Sequence, residues 1–415
     1  MKVDYIALSV PVFFILIGLE LLWSFIKGIR LYSLSDAITN ISCGIGQQLT
    51  GAFFKTFLFA GYIWIFENAR ISTIEPSLAN GILLFIGVDF CYYWFHRMSH
   101  EINAIWATHI VHHQSEEYNL TVALRQSWFQ AFFSNVFYLP LAWIGFDPVT
   151  TVSVIAFNTL YQFWIHTELI KKMGWFEWIF NTPSHHRVHH GSNPEYIDKN
   201  HGGTLIIWDR LFGTFQTEQV APVYGITTPL RSWNPFHANL HYWNDLLQLS
   251  TKASKISDKL KVFLAAPGWR PAELGGRQYP QEVKRADFEK FDVRISNPEK
   301  WYALLQFAAV LGFSSFLLFE IPISGTAILW PLMTWSLLSI GSIGAYLERR
   351  NWSRITEISR LFLLAAAYWL LPLKFNYLLM PFVSYIVISF IALFLAKKLS
   401  KASTYETQAY SNCYY

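Results

Sequence analysis

Apolar residues run in long blocks along this chain, separated by short charged stretches. The first block covers roughly 5–26 and is closed by Lys27 and Arg30. A second covers roughly 42–66, and a third, roughly 78–95, leads straight into His96. Two more, at about 128–146 and 149–169, meet at Asp147-Pro148 and are closed by Lys171 and Lys172, which predicts a tight helical hairpin. After a polar stretch reaching about residue 299, four further blocks follow at roughly 301–320, 325–347, 356–372 and 375–396. A helix needs about 20 apolar residues to cross a bilayer core. The pattern therefore predicts an all-α integral membrane protein with about nine transmembrane helices, of which the fifth and eighth could be half-buried.

Five segments follow from the same pattern: N-terminal transmembrane helices over 1–77, a core over 78–226, a connector over 227–299, C-terminal transmembrane helices over 300–399 and a disordered tail over 400–415. Basic residues orient them. With Lys27/Arg30, Lys171/Lys172, Arg349/Arg350 and Lys397/Lys398 in the cytosol, the N-terminus lies outside and the C-terminus inside. The connector is then cytosolic.

Composition agrees with a membrane protein. Charged residues make up 14% of the chain and hydrophobic ones 53%, against about 25% charged in soluble domains. A net charge of +4 is too small and dispersed to point to nucleic acid. Cys43, Cys91 and Cys413 are far apart, so neither a disulfide framework nor a thiolate metal site is expected. The first block lacks a clear small-residue cleavage site and reads as an uncleaved helix.

The chemistry lies in the histidines. Ten of the thirteen fall between His96 and His190, and His201 follows. They form spaced clusters: His96 and His100; His109, His112 and His113; His166 alone; then His185, His186, His189 and His190. On a helix, residues three and four apart share a face, so H-x-x-x-H sets two imidazoles side by side and H-x-x-H-H up to three. The expected metal ligands are His96, His100, His109, His112, His113, His166, His186, His189 and His190. His185 falls on another helical face and suits a supporting role. His237 and His241 lie well downstream and read as ordinary interfacial side chains.

Nine imidazoles exceed the four to six ligands of one ion, so two metals fit better. Zinc gains nothing from so many ligands, whereas imidazole-held iron with open positions suits oxygen chemistry. Asp89, Glu101, Glu116, Glu117, Asn119, Glu168 and Asp198 are close enough in sequence to hold ligand N–H groups. Asp89 lies within an apolar block, where an ionisable group is costly without a function, and one or two helical turns would carry it toward His96. Asp89 and Glu168 are candidate catalytic acids. A metal transporter or sensor would instead place its ligands near the bilayer midplane; these clusters sit at helix ends.

The three histidine clusters in this order, with paired apolar spans between the second and third, resemble the fatty acid hydroxylase/sterol desaturase superfamily. The runs over 87–101, 112–120, 123–126, 161–168, 181–191 and 208–215 narrow the resemblance to its branch that cleaves alkylglycerol ethers. The strong resemblance spans about 30–240, and the apolar spans after residue 300 also look like that branch. The resemblance implies two irons held by the nine histidines, with Glu101 as a functional acid. It also implies O2 and tetrahydrobiopterin as co-reactants, an alkylglycerol or related ether lipid as substrate, and a pterin-recycling reductase or other electron donor as partner. The membrane implied is the endoplasmic reticulum in a eukaryote or the inner membrane in a bacterium. His201 stands where the family pattern has Tyr. A hydroxylase or desaturase of fatty acyl, sterol or carotenoid chains, fed by a cytochrome or ferredoxin, shares the histidine pattern and is the alternative.

Overall fold

A computed structural model describes residues 5–412. Fifteen α-helices are formed among the described residues: α1 Tyr5–Lys27, α2 Leu34–Asn68, α3 Leu78–Glu101, α4 Asn103–His113, α5 Gln130–Phe137, α6 Leu139–Ile144, α7 Pro148–Tyr161, α8 Pro183–His189, α9 Ile207–Phe212, α10 Pro235–Lys252, α11 Ile256–Leu264, α12 Asn297–Ser324, α13 Thr326–Leu347, α14 Ser353–Trp369 and α15 Leu379–Asn412. Extended pairing among them amounts to two isolated bridges, Phe180 with Leu205 and Gly191 with Tyr224. Among the described residues, four helical stretches are long and apolar enough to cross a membrane: Leu8–Lys27, Leu78–Glu101, Asn297–Ile321 and Lys374–Leu399.

The expected hairpin over 128–169 takes another form. Three short helices of 8, 6 and 14 residues replace two long ones, each below the ~20 residues of a full span. Pro140 opens α6 and cannot extend α5 through its own N–H. Gly145 then ends α6 at φ 115°. A Cβ there would stand 1.9 Å from the Ser72 carbonyl oxygen, so only glycine fits this close crossing. At the other end of the chain, α15 continues to Asn412, through residues whose composition predicts an unstructured tail from 400; residues 413–415 lie outside the described residues.

The chain forms two compact units. The first contains the residues up to Arg231 and His237–Lys290. Inside it α3 packs on α4, α5 and α7. Tyr62, Leu84, Val88, Cys91, Tyr138, Leu141, Ala142 and Phe146 form one apolar cluster between α2, α3 and the α5–α6 region. Ser77 starts α3 by accepting the Asn80 N–H.

The second unit holds Ser232–Phe236 and the residues from Phe291 on. Its four helices α12 to α15 pack around a buried polar knot. Arg360 pairs with Glu357 at 2.7 Å and donates to Tyr385. Glu357 also accepts from Ser342 on α13 and Tyr302 on α12.

Candidate metal centre

Four short pieces of backbone carry the histidines. The C-terminal end of α3 supplies His96 and His100, and α4 supplies His109, His112 and His113. His186 and His189 are on α8, with His190 at its end. His166 lies just beyond the end of α7, in a turn rather than on the return helix. All nine are buried.

The imidazoles gather into two groups. One holds His96, His100, His109, His113 and His189; the other holds His112, His166, His186 and His190. Within each group the nitrogens lie within 4.8 Å of one another. Each H-x-x-H-H cluster is therefore divided rather than kept together. Residues four apart differ by about 40° around a helix, whereas adjacent residues differ by about 100°. So His109 and His113 face one group while His112 turns to the other, and His186 and His190 share a group while His189 turns away. The two groups adjoin where His113 stacks on His190, centroids 4.5 Å apart.

Backbone carbonyls fix the rings. Nδ1 of His96 donates to the His201 carbonyl at 2.7 Å, His112 to Arg125 at 3.0 Å, His166 to Gln162 at 2.8 Å and His189 to Lys199 at 2.8 Å. His100 Nδ1 reaches the Asp198 carboxylate at 3.2 Å. A neutral imidazole whose proton sits on Nδ1 presents a bare lone pair on Nε2. Those Nε2 atoms face one another. His112 Nε2 lies 3.1 Å from His166 Nε2 and 3.0 Å from His190 Nε2. His186 Nε2 lies 3.0 Å from His166 Nε2. In the other group, His109 Nε2 lies 2.9 Å from His96 Nε2 and 3.1 Å from His113 Nε2.

Protons do not supply the missing attraction near neutral pH. Burial first, and the mutual repulsion of neighbouring rings second, hold His109, His113, His186, His189 and His190 well below the ordinary histidine value. Burial takes His112 down to about 4. The nitrogens His100 Nε2 and His189 Nε2 are buried without a partner. Converging lone pairs, proton-poor and shut away from water, call for a cation. Imidazole nitrogens about 2.1 Å from one ion and at right angles stand about 3.0 Å apart, which matches these separations. The donor set fits two first-row divalent ions.

The candidate acids meet the following partners. Asp89 is fully buried, and its carboxylate accepts from Asn158, from the Thr204 and Leu205 N–H groups and from the Trp208 indole. It ties α3 and α7 to the segment after His201 and so positions that segment; its oxygens are taken by these donors rather than by a histidine. Glu101 is exposed and pairs with Arg97 at 2.8 Å, one helical turn back on the same face. Glu168 stands beside the Tyr224 phenol, whose pKa is raised first by burial and then by that carboxylate. Neither group of histidines includes an acid. Of the other expected partners, Asp198 meets His100 as described. Glu117 pairs with Lys290 at 2.5 Å, and Asn119 donates to the Leu31 carbonyl. His185 is buried against the Phe215 ring, outside both groups. His237 and His241 lie on α10, also outside both.

Further residues shape the site. Arg125, buried, offers its carbonyl to His112 while its guanidinium holds the Val111 carbonyl, Asn40 and Gln114. Asp198 and Asn200 both adopt left-handed backbone, φ 57°, which Asx residues tolerate best among non-glycine types. That turn aims the Lys199 carbonyl at His189, and Asn200 locks it through the His185 and Gln216 carbonyls. Asp209 accepts the His201 and Gly202 N–H groups at 2.7 Å each. His201 itself is buried beside His100, ring centroids 5.1 Å apart, but it is outside the five-nitrogen group.

Known proteins give the following similarities. The Fatty acid hydroxylase family matches residues 81–214, which include every histidine of both groups. The chain is similar to alkylglycerol monooxygenase of Homo sapiens, 41% identical over 86% of this chain and 81% of that protein. It is 39% identical to the Xenopus tropicalis enzyme and 40% to the Danio rerio enzyme, each over 86% of this chain and 80% of the relative. No solved structure matches it.

Proposed function

The chain belongs to the alkylglycerol monooxygenase family, and from that premise we propose that it is a di-iron membrane monooxygenase that cleaves the ether bond of alkylglycerols or related ether lipids with O2 and tetrahydrobiopterin. The observation that carries the reading is the convergence of buried imidazole Nε2 atoms in two adjoining groups. His96, His100, His109, His113 and His189 would hold one iron, and His112, His166, His186 and His190 the other. When bound, iron supplies O2 activation and tetrahydrobiopterin two electrons: one oxygen atom enters the C–H bond beside the ether oxygen and the other leaves as water. The hydroxylated ether is a hemiacetal, which opens to a fatty aldehyde and a glycerol hydroxyl.

The protein's own part is to hold and to exclude. The carbonyls of His201, Arg125, Gln162 and Lys199 keep the rings of His96, His112, His166 and His189 in one tautomer and one orientation. Burial keeps the rings neutral and the centre dry. Asp89, Asn200 and Asp209 brace the segment that closes over the first group. A long alkyl ether partitions into a bilayer with its polar head at the surface, so a site at the end of an apolar helix such as α3 suits that substrate. The Lys/Arg distribution supports placing the histidines and the 227–299 connector on the cytosolic side. The membrane would be the endoplasmic reticulum in a eukaryote or the inner membrane in a bacterium.

The test uses purified protein loaded anaerobically with Fe(II), then given an alkylglycerol, O2 and reduced tetrahydrobiopterin. Fatty aldehyde should form only with all three present and should vanish in His113→Ala. Iron-replete protein that yields no aldehyde would overturn ether cleavage and favour hydroxylation or desaturation of another lipid with a different electron donor.

A further inference from the structure

We propose that α10 and α11 form an in-plane platform seated on an anionic lipid surface, which holds the histidine helix α4 at the level of the bilayer face. The inference rests on α3 crossing the membrane, not on the reaction.

The exposed side of α11 is apolar. Ile256, Leu260 and Leu264 are 77%, 63% and 70% exposed, and at four-residue spacing they share one face. Val262 points the opposite way and is buried with Ala107 of α4 and Leu246 of α10. At about 100° per residue, Lys259 and Lys261 stand about 100° to either side of the stripe's centre. Lys252 and Lys255 precede it, and the Lys261 ammonium lies over the Trp269 ring at 4.9 Å. On α10, Leu240 and Leu247 add exposed apolar area two turns apart. The acids nearby are Asp245, Asp258 and Glu273, so the stripe and its flanks remain net basic. An apolar stripe edged by lysines matches the boundary between acyl chains and anionic headgroups, and such helices sink about 5–10 Å into it.

The depth of attachment points to the same partner. The apolar stretch of α3 ends at Glu101. Two residues later, the Asn103 N–H donates to the Ala265 carbonyl at 2.9 Å, and its side chain donates to Val262 at 2.8 Å. Tyr242 of α10 donates to the Asn103 carboxamide at 2.6 Å. The C-terminal end of α11 is thereby fastened where α3 emerges from the hydrocarbon, so its bare apolar face lies at headgroup depth. A water-facing position would leave three large aliphatic side chains exposed together.

The experiment uses the full chain in lipid nanodiscs, with Cys413→Ser to remove one labelling site; Cys43 and Cys91 are buried. A bimane label is placed at Leu260→Cys, at Ile256→Cys as a second position, and at Lys284→Cys as an exposed loop reference. Nitroxides on lipid acyl chains should quench both α11 labels with a blue-shifted emission, while aqueous iodide should quench the reference. Replacing Lys255, Lys259 and Lys261 together by Gln should weaken acyl quenching in anionic discs and leave it unchanged in zwitterionic ones. Iodide quenching of both α11 labels would overturn the proposal in favour of a solvated face. Labels shielded from both quenchers would overturn it in favour of a protein partner or a second copy.

Discussion

A neutral imidazole has one proton to place, and a carbonyl beside Nδ1 decides where it goes. That rule aims the Nε2 lone pairs of His96, His112, His166 and His189, and burial of the neutral rings makes the metal-free protein sensitive to acid. His112 and His185 are held near about 4 when folded, chiefly by burial, against an ordinary 6.5. Between these values the unfolded chain binds more protons than the folded one, so stability rises with pH there. Calorimetry of metal-free protein should find full stability above about pH 6.5 and a progressive loss as pH falls toward about 4; a flat profile would contradict the buried, neutral rings. The acids separate by their surroundings. Glu101→Gln removes one exposed ion pair, worth at most about 1 kcal/mol, and should leave iron content intact, so any activity it loses would report chemistry rather than folding. Asp89→Ala strands three buried donors and the half-buried Trp208 indole and should cost about 2–4 kcal/mol, measured by thermal unfolding. That these nine histidines would gather was legible because histidine spacing is a property of side chains. The roles of the acids were not, since sequence distance to His96 or His100 says nothing of which donors compete for a carboxylate.

At the scale of elements, helical phase explains why each histidine cluster serves two groups. A stretch with His109, His112 and His113 advertises a metal site but not its partition, which needs the facing helix α8 and the turn at His166. The segment over 196–216 was the hardest to read. Its contribution is made by carbonyls of Lys199 and His201, and a backbone oxygen carries no residue signature. The one visible sign is Asp198-Lys199-Asn200, with Asx residues at both left-handed positions. Asn200→Ala removes the locks on that turn and loosens His189; iron affinity should fall about 10–100-fold, read by competition with a chelator. Unchanged affinity would mean that His189 is held by other means. Likewise, the expected hairpin was a fair reading of hydropathy, but Pro140 and Gly145 cut it into short pieces.

The whole molecule joins a histidine-bearing unit to a helical unit with its own polar knot. The long apolar blocks made the helical membrane class readable from the start. Their number of crossings depends on breaks that hydropathy averages away. In the second unit, Arg360 and Glu357 are buried together, and removing one partner of such a pair typically costs about 3–5 kcal/mol. Glu357→Gln should therefore lower thermal stability while leaving iron content unchanged, since no histidine of either group lies in that unit. Two histidine groups imply two iron sites. Anaerobically loaded, desalted protein should carry two irons per chain, and His96→Ala and His166→Ala should each remove one while sparing the other, as counted by metal analysis and Mössbauer spectroscopy. One iron per chain, or joint loss of all iron from either variant with the fold intact, would contradict two separately held ions.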